Sequence, residues 1–260
     1  MLFALLAVLA YASAAVLLLR ASDRGPGNRG WLPLAVLALL FHAEVHVEAL
    51  GVTRALDLHF FAAMSLSALV IAGLGTLLGA LGRMPALGVV VYPLAAALVL
   101  VYQLHGHAPS PAMDWRLQLH AWLALFAYAT LAIAALLAVL LWAQERAMRR
   151  RQFHRWLRGL PPLTELEALL FRTIQAGFVL LTATLLTGVL FVDDLLAQHL
   201  AHKTVFSILS WLAFGVLLLG RWRRGWRGVV AVRWTLVAML LLVLAYFGSK
   251  FVLELLLARA

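Results

Sequence analysis

The chain has 260 residues, of which 65% are hydrophobic and 12% charged, with a formal net charge of +10 and no cysteine. A composition this apolar excludes an ordinary soluble domain and is typical of a membrane protein with several transmembrane helices. The lack of cysteine excludes disulfides, thiolate metal sites, thioether-linked cofactors and thiol redox chemistry within this chain. Histidine is therefore the remaining candidate for a soft metal ligand.

Eight apolar segments are long enough to cross about 30 Å of hydrocarbon. They are predicted as helices near residues 2–19, 32–50, 60–82, 85–104, 117–142, 169–192, 203–220 and 234–257. The longest polar interval, residues 143–167, is too short to form a core of its own. We therefore predict an all-α polytopic membrane protein that forms a single integral membrane domain over residues 1–260.

The basic residues predict how these helices cross the membrane. Sixteen of the twenty-one lysines and arginines fall in one set of alternate connections and five in the other. The five are Arg54, Arg116, Lys203, Lys250 and Arg259. Because inner loops of membrane proteins carry the excess of basic residues, both termini are expected on the outer, periplasmic side. This distribution also accounts for the positive charge, so a nucleic-acid partner is not expected.

The connection before the sixth segment contains a helix start signal. Pro161 and Pro162 are followed by Thr164, and Glu167 comes three residues later. This is a capping-box pattern, in which the threonine and glutamate side chains bond to backbone amides of the first turn. The sixth helix is therefore predicted to begin on the inner side, before the apolar run.

Residues 41–50, FHAEVHVEAL, place two histidines and two glutamates in an apolar segment of membrane length. At 100° per residue, His42 and His46 share one helix face, and Glu44 and Glu48 share a face roughly opposite. Ionisable groups at membrane depth cost at least about 2.5–3.5 kcal/mol, and by default they mark a site, a pathway or a cofactor ligand. We expect this helix to lie inside a bundle, with both polar faces covered by other helices or water.

The histidines are distributed unevenly across the predicted membrane. Eight are assigned to outer loops or outer helix halves: His42, His46, His59, His105, His107, His120, His199 and His202. Only His154 is assigned to the inner side. An outer region rich in histidine suits a metal or haem iron, because neutral imidazole is an available axial ligand. The loop positions, which include His59, His105, His107 and His199, are more simply solvated residues.

His42 and His120 differ from the loop histidines. His42 lies about 12 Å below the outer end of its helix, and His120 opens the fifth helix near the same surface. Two helices placed in this way can hold one flat cofactor. The alternative for His42 is a histidine hydrogen-bonded within the core, and the alternative for His120 is a polar residue at the membrane interface.

Residues 117–252 also contain four stretches with a familiar order and spacing. They are LHAWLALFAYATLAIAALL, LPPLTELEALLFRTIQAGFVLLTATLLTGVLF, HKTVFSILSWLAFGVLLLGRWRRGWRG and LAYFGSKFV. These stretches resemble cytochrome c assembly proteins of the CcsA type, which handle haem in the membrane, and in particular a short branch with eight helices. The resemblance implies that His120 is a haem ligand and that His42 matches a second-helix histidine. It also places Lys203 and Trp211 in a motif at the start of helix seven, which makes them secondary candidates for cofactor binding.

The chain departs from the family pattern at three places. The tryptophan-rich outer loop ending in a WDPKE-like run is replaced by VDDLLAQHLAHK, which contains no tryptophan. Leu219 stands where the family has a histidine near the inner end of helix seven, and no histidine follows the last helix before Ala260. These residues therefore do not imply presentation of haem to an apocytochrome, whereas a haem site between helices two and five remains implied.

Together these observations predict a multi-pass protein of the bacterial inner membrane that binds b-type haem non-covalently near its outer face. His42 and His120 are the predicted axial ligands of the iron, and His46 is the alternative ligand. The expected partners are the lipid bilayer, haem, and a cytochrome c assembly partner or haem acceptor protein. No catalytic constellation is recognisable, so the chain is not expected to be an enzyme by itself.

Two alternatives stay open. The first is a transporter or ion-handling protein in which Glu44, Glu48 and the histidines line a proton or divalent-cation route. Against it, only one helix carries acidic residues deep in the membrane. The second is a non-catalytic accessory subunit of a membrane complex, which needs no ligand at all.

Overall fold

A computed structural model describes residues 1–21, 29–53, 58–105, 114–151, 160–191 and 198–248. These ranges contain eight α-helices and no strand. The helices are α1 (Leu2–Ala21), α2 (Leu32–Thr53), α3 (Phe60–Ala80), α4 (Leu87–His105), α5 (Trp115–Arg149), α6 (Leu163–Phe191), α7 (Gln198–Arg224) and α8 (Gly228–Val243). A five-residue π-helical segment, Leu244–Gly248, continues α8.

The predicted fold class is confirmed, because eight of the described helices are long and apolar enough to cross a membrane. Four of them extend well beyond the predicted segments: α5 reaches Arg149, α6 begins at Leu163, α7 begins at Gln198 and ends at Arg224, and α8 begins at Gly228. The predicted end of the eighth segment, at residue 257, lies outside the described residues. Apolar length fixed the predicted ends, whereas backbone hydrogen bonding continues into the polar residues on either side. The positions of the termini relative to the membrane stay a prediction.

Contacts divide the chain into two compact units, and each is described by itself. Unit 1 contains α1 to α4, in which α1 and α3 each pack against α2 and α4. Gly88 allows the close approach of α1 and α4, since a Cβ atom there would lie 2.5 Å from Leu18 Cδ1. The prediction of a single membrane domain stays a prediction.

Unit 2 contains α5 to α8, in which α5 and α7 each pack against α6 and α8. The contact between α5 and α6 is tight at Gly177, where a Cβ atom would lie 2.5 Å from Leu131 Cδ2. Larger side chains at this glycine would push the two helices apart. In unit 2, α5 and α6 therefore pack side by side, and side chains of α5 that face α6 contact it directly.

The predicted capping box at the start of α6 is wrong. Helix α6 begins at Leu163, before Thr164, and the buried Glu167 carboxylate bonds to arginines instead of a backbone amide. Glu167 Oε1 accepts from Arg221 Nη1 at 2.7 Å and from Arg227 Nε at 3.0 Å. The arginines come from the end of α7 and the turn after it. The local sequence around Glu167 therefore gives no sign of these partners.

Candidate functional site

The histidines of α2 belong to a buried polar cluster in unit 1, the histidine core, formed by His42, His46, Tyr11 and Ser65. His42 is 0% exposed, and its Nδ1 lies 3.2 Å from the Tyr11 hydroxyl of α1. Its Nε2 lies 3.0 Å from Ser65 Oγ of α3, and His46 Nε2 lies 3.0 Å from the same oxygen. The two imidazoles stack with centroids 5.7 Å apart. The predicted common face of these histidines is confirmed.

The shared serine limits the protonation of the two rings. A hydroxyl has one proton, so Ser65 can donate to only one imidazole. The other imidazole must carry a proton on its own Nε2 and donate it to Ser65 Oγ. When both rings are neutral and Ser65 donates to one of them, His42 and His46 therefore have opposite tautomers.

Aromatic side chains from α1 and α4 enclose this core. The ring of His46 stacks on Tyr102 with centroids 4.8 Å apart, and Tyr11 stacks on Tyr92 at 5.7 Å. The hydroxyl of Tyr92 lies 3.0 Å from Thr76 Oγ1. Because the buried hydroxyls and ring nitrogens find partners in this way, the core is stable in an apolar interior.

The glutamates of α2 lie outside the histidine core. Glu48 is exposed and Glu44 is half-buried, and neither has an ion-pair partner among the described residues. Glu48 lies five residues before Thr53, about 7.5 Å from the end of α2, where polar groups are tolerated. The sequence predicts that other helices or water contact these carboxylates. Among the described residues, no side chain forms an ion pair with either of them.

His120 occupies a different setting in unit 2. It lies in the second turn of α5, whose N-cap is Asp114, and its ring is half-buried against α6. His120 Nδ1 lies 3.1 Å from Thr187 Oγ1. A Cβ atom on Gly188 would lie 3.3 Å from His120 Cε1, so the glycine leaves room for the ring. The hydrogen bond at Nδ1 leaves Nε2 as the nitrogen for a ligand.

Trp211 and Lys203 are the secondary candidates for cofactor binding. Trp211 Nε1 donates to Thr182 Oγ1 at 2.9 Å, and its ring stacks on Phe178 at 5.5 Å. Thr182 and Thr187 are five residues apart on α6, which places them about 140° apart around the helix. Trp211 and His120 therefore contact different faces of α6. Lys203 is half-buried near the start of α7, and its role stays a prediction.

Two of the predicted loop histidines are packed against aromatic rings. His105 is exposed at the end of α4, stacks on Phe61 at 3.8 Å, and donates from Nδ1 to the Val101 carbonyl at 2.8 Å. His59 is half-buried, with its ring 5.8 Å from that of Tyr102. His107 and His154 lie outside the described residues, as do the side chains of His199 and His202.

A haem iron needs an imidazole nitrogen that is free to bind and a ring that is held in orientation by its other nitrogen. His120 meets both conditions, because Thr187 holds Nδ1. His42 has a comparable anchor in Tyr11, but its Nε2 becomes available only if the Ser65 hydroxyl turns away. Within the described ranges, no three histidine, aspartate or glutamate side chains are grouped to hold a metal ion by themselves.

Sequence reasoning did not find the hydroxyl partners of these histidines. Ser65 and Tyr11 belong to other helices than the histidines they contact, and the chain between them gives no local signal. The sequence does contain a signal for Thr187, because Thr184, Thr187 and Gly188 share one face of α6 at i, i+3 and i+4. A polar and glycine face on an otherwise apolar helix indicates a close contact with a neighbouring polar side chain.

The fold and these sites define a class: an all-helical, multi-pass membrane protein with hydrogen-bonded histidines in both of its units. Residues 31–257 match the family described as cytochrome C assembly protein. The chain therefore belongs to the cytochrome c assembly family, and the family predicted from the sequence is confirmed.

Three relatives show how far the similarity extends. Inner membrane protein YpjD of Escherichia coli strain K12 is 33% identical over 275 residues, which cover 97% of this chain and 98% of that protein. Cytochrome c biogenesis protein CcsA of Chlamydomonas reinhardtii is 26% identical over 56% of this chain and 40% of that protein. Protein HemX of Brevibacillus brevis is 25% identical over 50% of this chain and 48% of that protein. No solved structure matches the chain.

Proposed function

We propose that the protein binds b-type haem non-covalently in the bacterial inner membrane, with His120 as an axial ligand of the iron through Nε2. Membership of the cytochrome c assembly family implies haem handling. The observation that carries the proposal is the half-buried His120 ring, which is anchored to Thr187 at Nδ1 and lies against Gly188. This arrangement orients an imidazole for a ligand at its other nitrogen.

His42 is the proposed second ligand, and His46 is its alternative. Support comes from the imidazole chemistry and from the Tyr11 hydroxyl, which holds His42 Nδ1 as Thr187 holds the Nδ1 of His120. Binding of iron at His42 Nε2 requires this nitrogen to carry no proton and the Ser65 hydroxyl to turn away from it. The proposal that His42 and His120 bind the same iron rests on the sequence.

The proposed role is binding and orientation of haem, not catalysis by this chain alone. When bound, haem supplies an iron that changes between the ferric and ferrous states. The imidazole nitrogens of the chain would hold this iron. A haem acceptor or a cytochrome c assembly protein is the proposed partner, in addition to the lipid bilayer.

An absorption spectrum tests this proposal. Detergent-purified protein is reconstituted with haem, and its spectrum is recorded oxidised and then after reduction with dithionite. Two imidazole ligands predict a six-coordinate, low-spin spectrum. His120→Ala is expected to lower haem content by about 10-fold or more, or to turn the remaining haem high-spin, because one strong ligand is lost.

His105→Ala is the matched control, because His105 is exposed and its Nδ1 bonds only to a carbonyl of its own helix. Its spectrum and haem content are expected to equal those of the wild type. His42→Ala is expected to turn the haem high-spin. Wild-type protein that never takes up haem contradicts the proposal and favours an ion-handling role for the α2 histidines and glutamates.

A further inference from the structure

The hydroxyl of Thr187 contacts three polar atoms. It lies 3.1 Å from His120 Nδ1, 2.9 Å from the Ala183 carbonyl oxygen and 3.0 Å from the Thr184 carbonyl oxygen. Both carbonyls belong to the preceding turn of α6 and can only accept hydrogen bonds. The direction of the proton on this hydroxyl therefore decides what the imidazole must do.

The single hydroxyl proton can point to the carbonyls or to the imidazole, but not to both. If it pointed to Nδ1, the lone pairs of Oγ1 would face two carbonyl oxygens at about 3 Å, which is repulsive. If it points to the carbonyls, Oγ1 can accept a proton from the imidazole. The second arrangement satisfies all of the atoms and leaves Nδ1 as the donor.

The same helix contains a contact in which the roles are unambiguous. Thr182 Oγ1 donates to the Phe178 carbonyl at 2.8 Å and lies 2.9 Å from Trp211 Nε1. An indole N–H can only donate, so this threonine accepts from a ring while it donates to its own helix. Thr187 has the same arrangement with respect to His120.

We infer that Thr187 sets the tautomer of His120, with the proton on Nδ1 and a bare lone pair on Nε2, before any ligand binds. Thr187 is thus a positioning residue that makes the imidazole ready to bind a metal, and Gly188 lets the ring lie close to α6. The claim that this tautomer prepares His120 to bind iron rests on the proposed function. The tautomer itself is a property of the chain without haem.

The first test uses haem-free protein in which histidine carries ¹⁵N in the ring. Ring ¹⁵N shifts distinguish a protonated from a bare nitrogen, and the His120 signals are assigned by their disappearance in His120→Ala. The wild type is expected to show protonated Nδ1 and bare Nε2. Thr187→Val, which keeps the shape but removes the hydroxyl, is expected to lose this preference, whereas Thr187→Ser is expected to keep it.

Thr182→Val is the matched control, because it removes a threonine hydroxyl with the same backbone bond from the same helix. It is expected to leave the His120 tautomer unchanged. Wild-type protein with the proton of His120 on Nε2 overturns the inference. An unchanged Nδ1–H tautomer in Thr187→Val overturns it as well, because another group then holds the proton.

The second test uses the same variants after reconstitution with haem. Loss of an outer hydrogen-bond partner lowers metal affinity by about 10- to 100-fold. Thr187→Val is expected to show a loss in this range, with Thr187→Ser and Thr182→Val close to the wild type. Haem affinity in Thr187→Val equal to the wild type overturns the positioning role. If the wild type shows the expected tautomer yet never binds haem, the proposed function fails while the tautomer assignment stands.

Discussion

The histidines of the two units differ in whether the hydroxyl that contacts them has a proton to donate to the imidazole. In unit 1, Ser65 Oγ lies 3.0 Å from two imidazole nitrogens, and its proton can serve only one of them. In unit 2, Thr187 gives its proton to its own helix and can only accept from His120. Availability of a histidine as a ligand therefore depends on the remaining hydrogen-bond capacity of its partner, and not on burial alone.

His42 and His120 also differ in how deeply they are buried. His42 is fully enclosed among helices of unit 1, whereas His120 is half-buried on α5. A fully buried polar ring contributes to folding because its loss leaves a cavity and unpaired partners. A half-buried ring with one anchored nitrogen contributes less to folding and is free to bind. The comparison predicts that stability and haem binding can be separated by mutation.

The largest expected effect on stability comes from His42→Ala in the haem-free protein. We expect the free energy of unfolding to fall by about 2–5 kcal/mol, because the ring is buried and Tyr11 and Ser65 each lose one hydrogen-bond partner. His120→Ala is expected to cost about 1 kcal/mol or less, since its site is half-open. Denaturant unfolding of both variants in detergent measures the difference. Equal losses would remove the distinction between the two units.

Ser65→Ala is expected to cost about 1–3 kcal/mol, because His42 Nε2 and His46 Nε2 each lose a hydrogen bond. Ser67→Ala is the matched control on the same helix, since the Ser67 hydroxyl bonds only to the Ala63 carbonyl. That control is expected to change stability by about 0.5 kcal/mol or less. A similar loss in both serine variants would show that the shared hydroxyl does not support the histidine core.

Tyr11→Phe removes the partner of His42 Nδ1 and keeps the stacking on Tyr92. The expected cost is about 1 kcal/mol. Combined with Ser65→Ala, it forms a double-mutant cycle, and a coupling of about 0.5 kcal/mol or more is expected because both hydroxyls bond to His42. Strict additivity of the two losses would contradict a connected network through that ring.

The smallest expected effect on haem binding is that of Trp211→Phe. The stacking on Phe178 remains, and one hydrogen bond to Thr182 is lost, at a cost of about 0.5–1.5 kcal/mol. Because Trp211 contacts a different face of α6 from His120, the haem spectrum is expected to equal that of the wild type. A changed spin state in this variant would place Trp211 in the haem site and support it as a cofactor-binding residue.

The sequence predicted the elements and the face of each histidine better than their partners. Eight apolar runs and the i, i+4 spacing of His42 and His46 depend on local periodicity, which is visible along the chain. The hydroxyls that hold the imidazoles come from helices 19 to 67 residues away, so only the packing brings them together. The capping prediction for Glu167 is wrong for the same reason. Its arginine partners come from the end of α7 and the turn after it, far along the chain.

The claim that the side chain of His120 binds the iron is tested most directly by chemical rescue. His120→Gly removes the ring and leaves a space in which free imidazole can bind. We predict that this variant, reconstituted with haem, lacks the wild-type low-spin spectrum and regains it when imidazole is added, while added imidazole does not change the spectrum of the wild type. A wild-type low-spin spectrum in His120→Gly without imidazole would contradict the assignment of this histidine as the ligand.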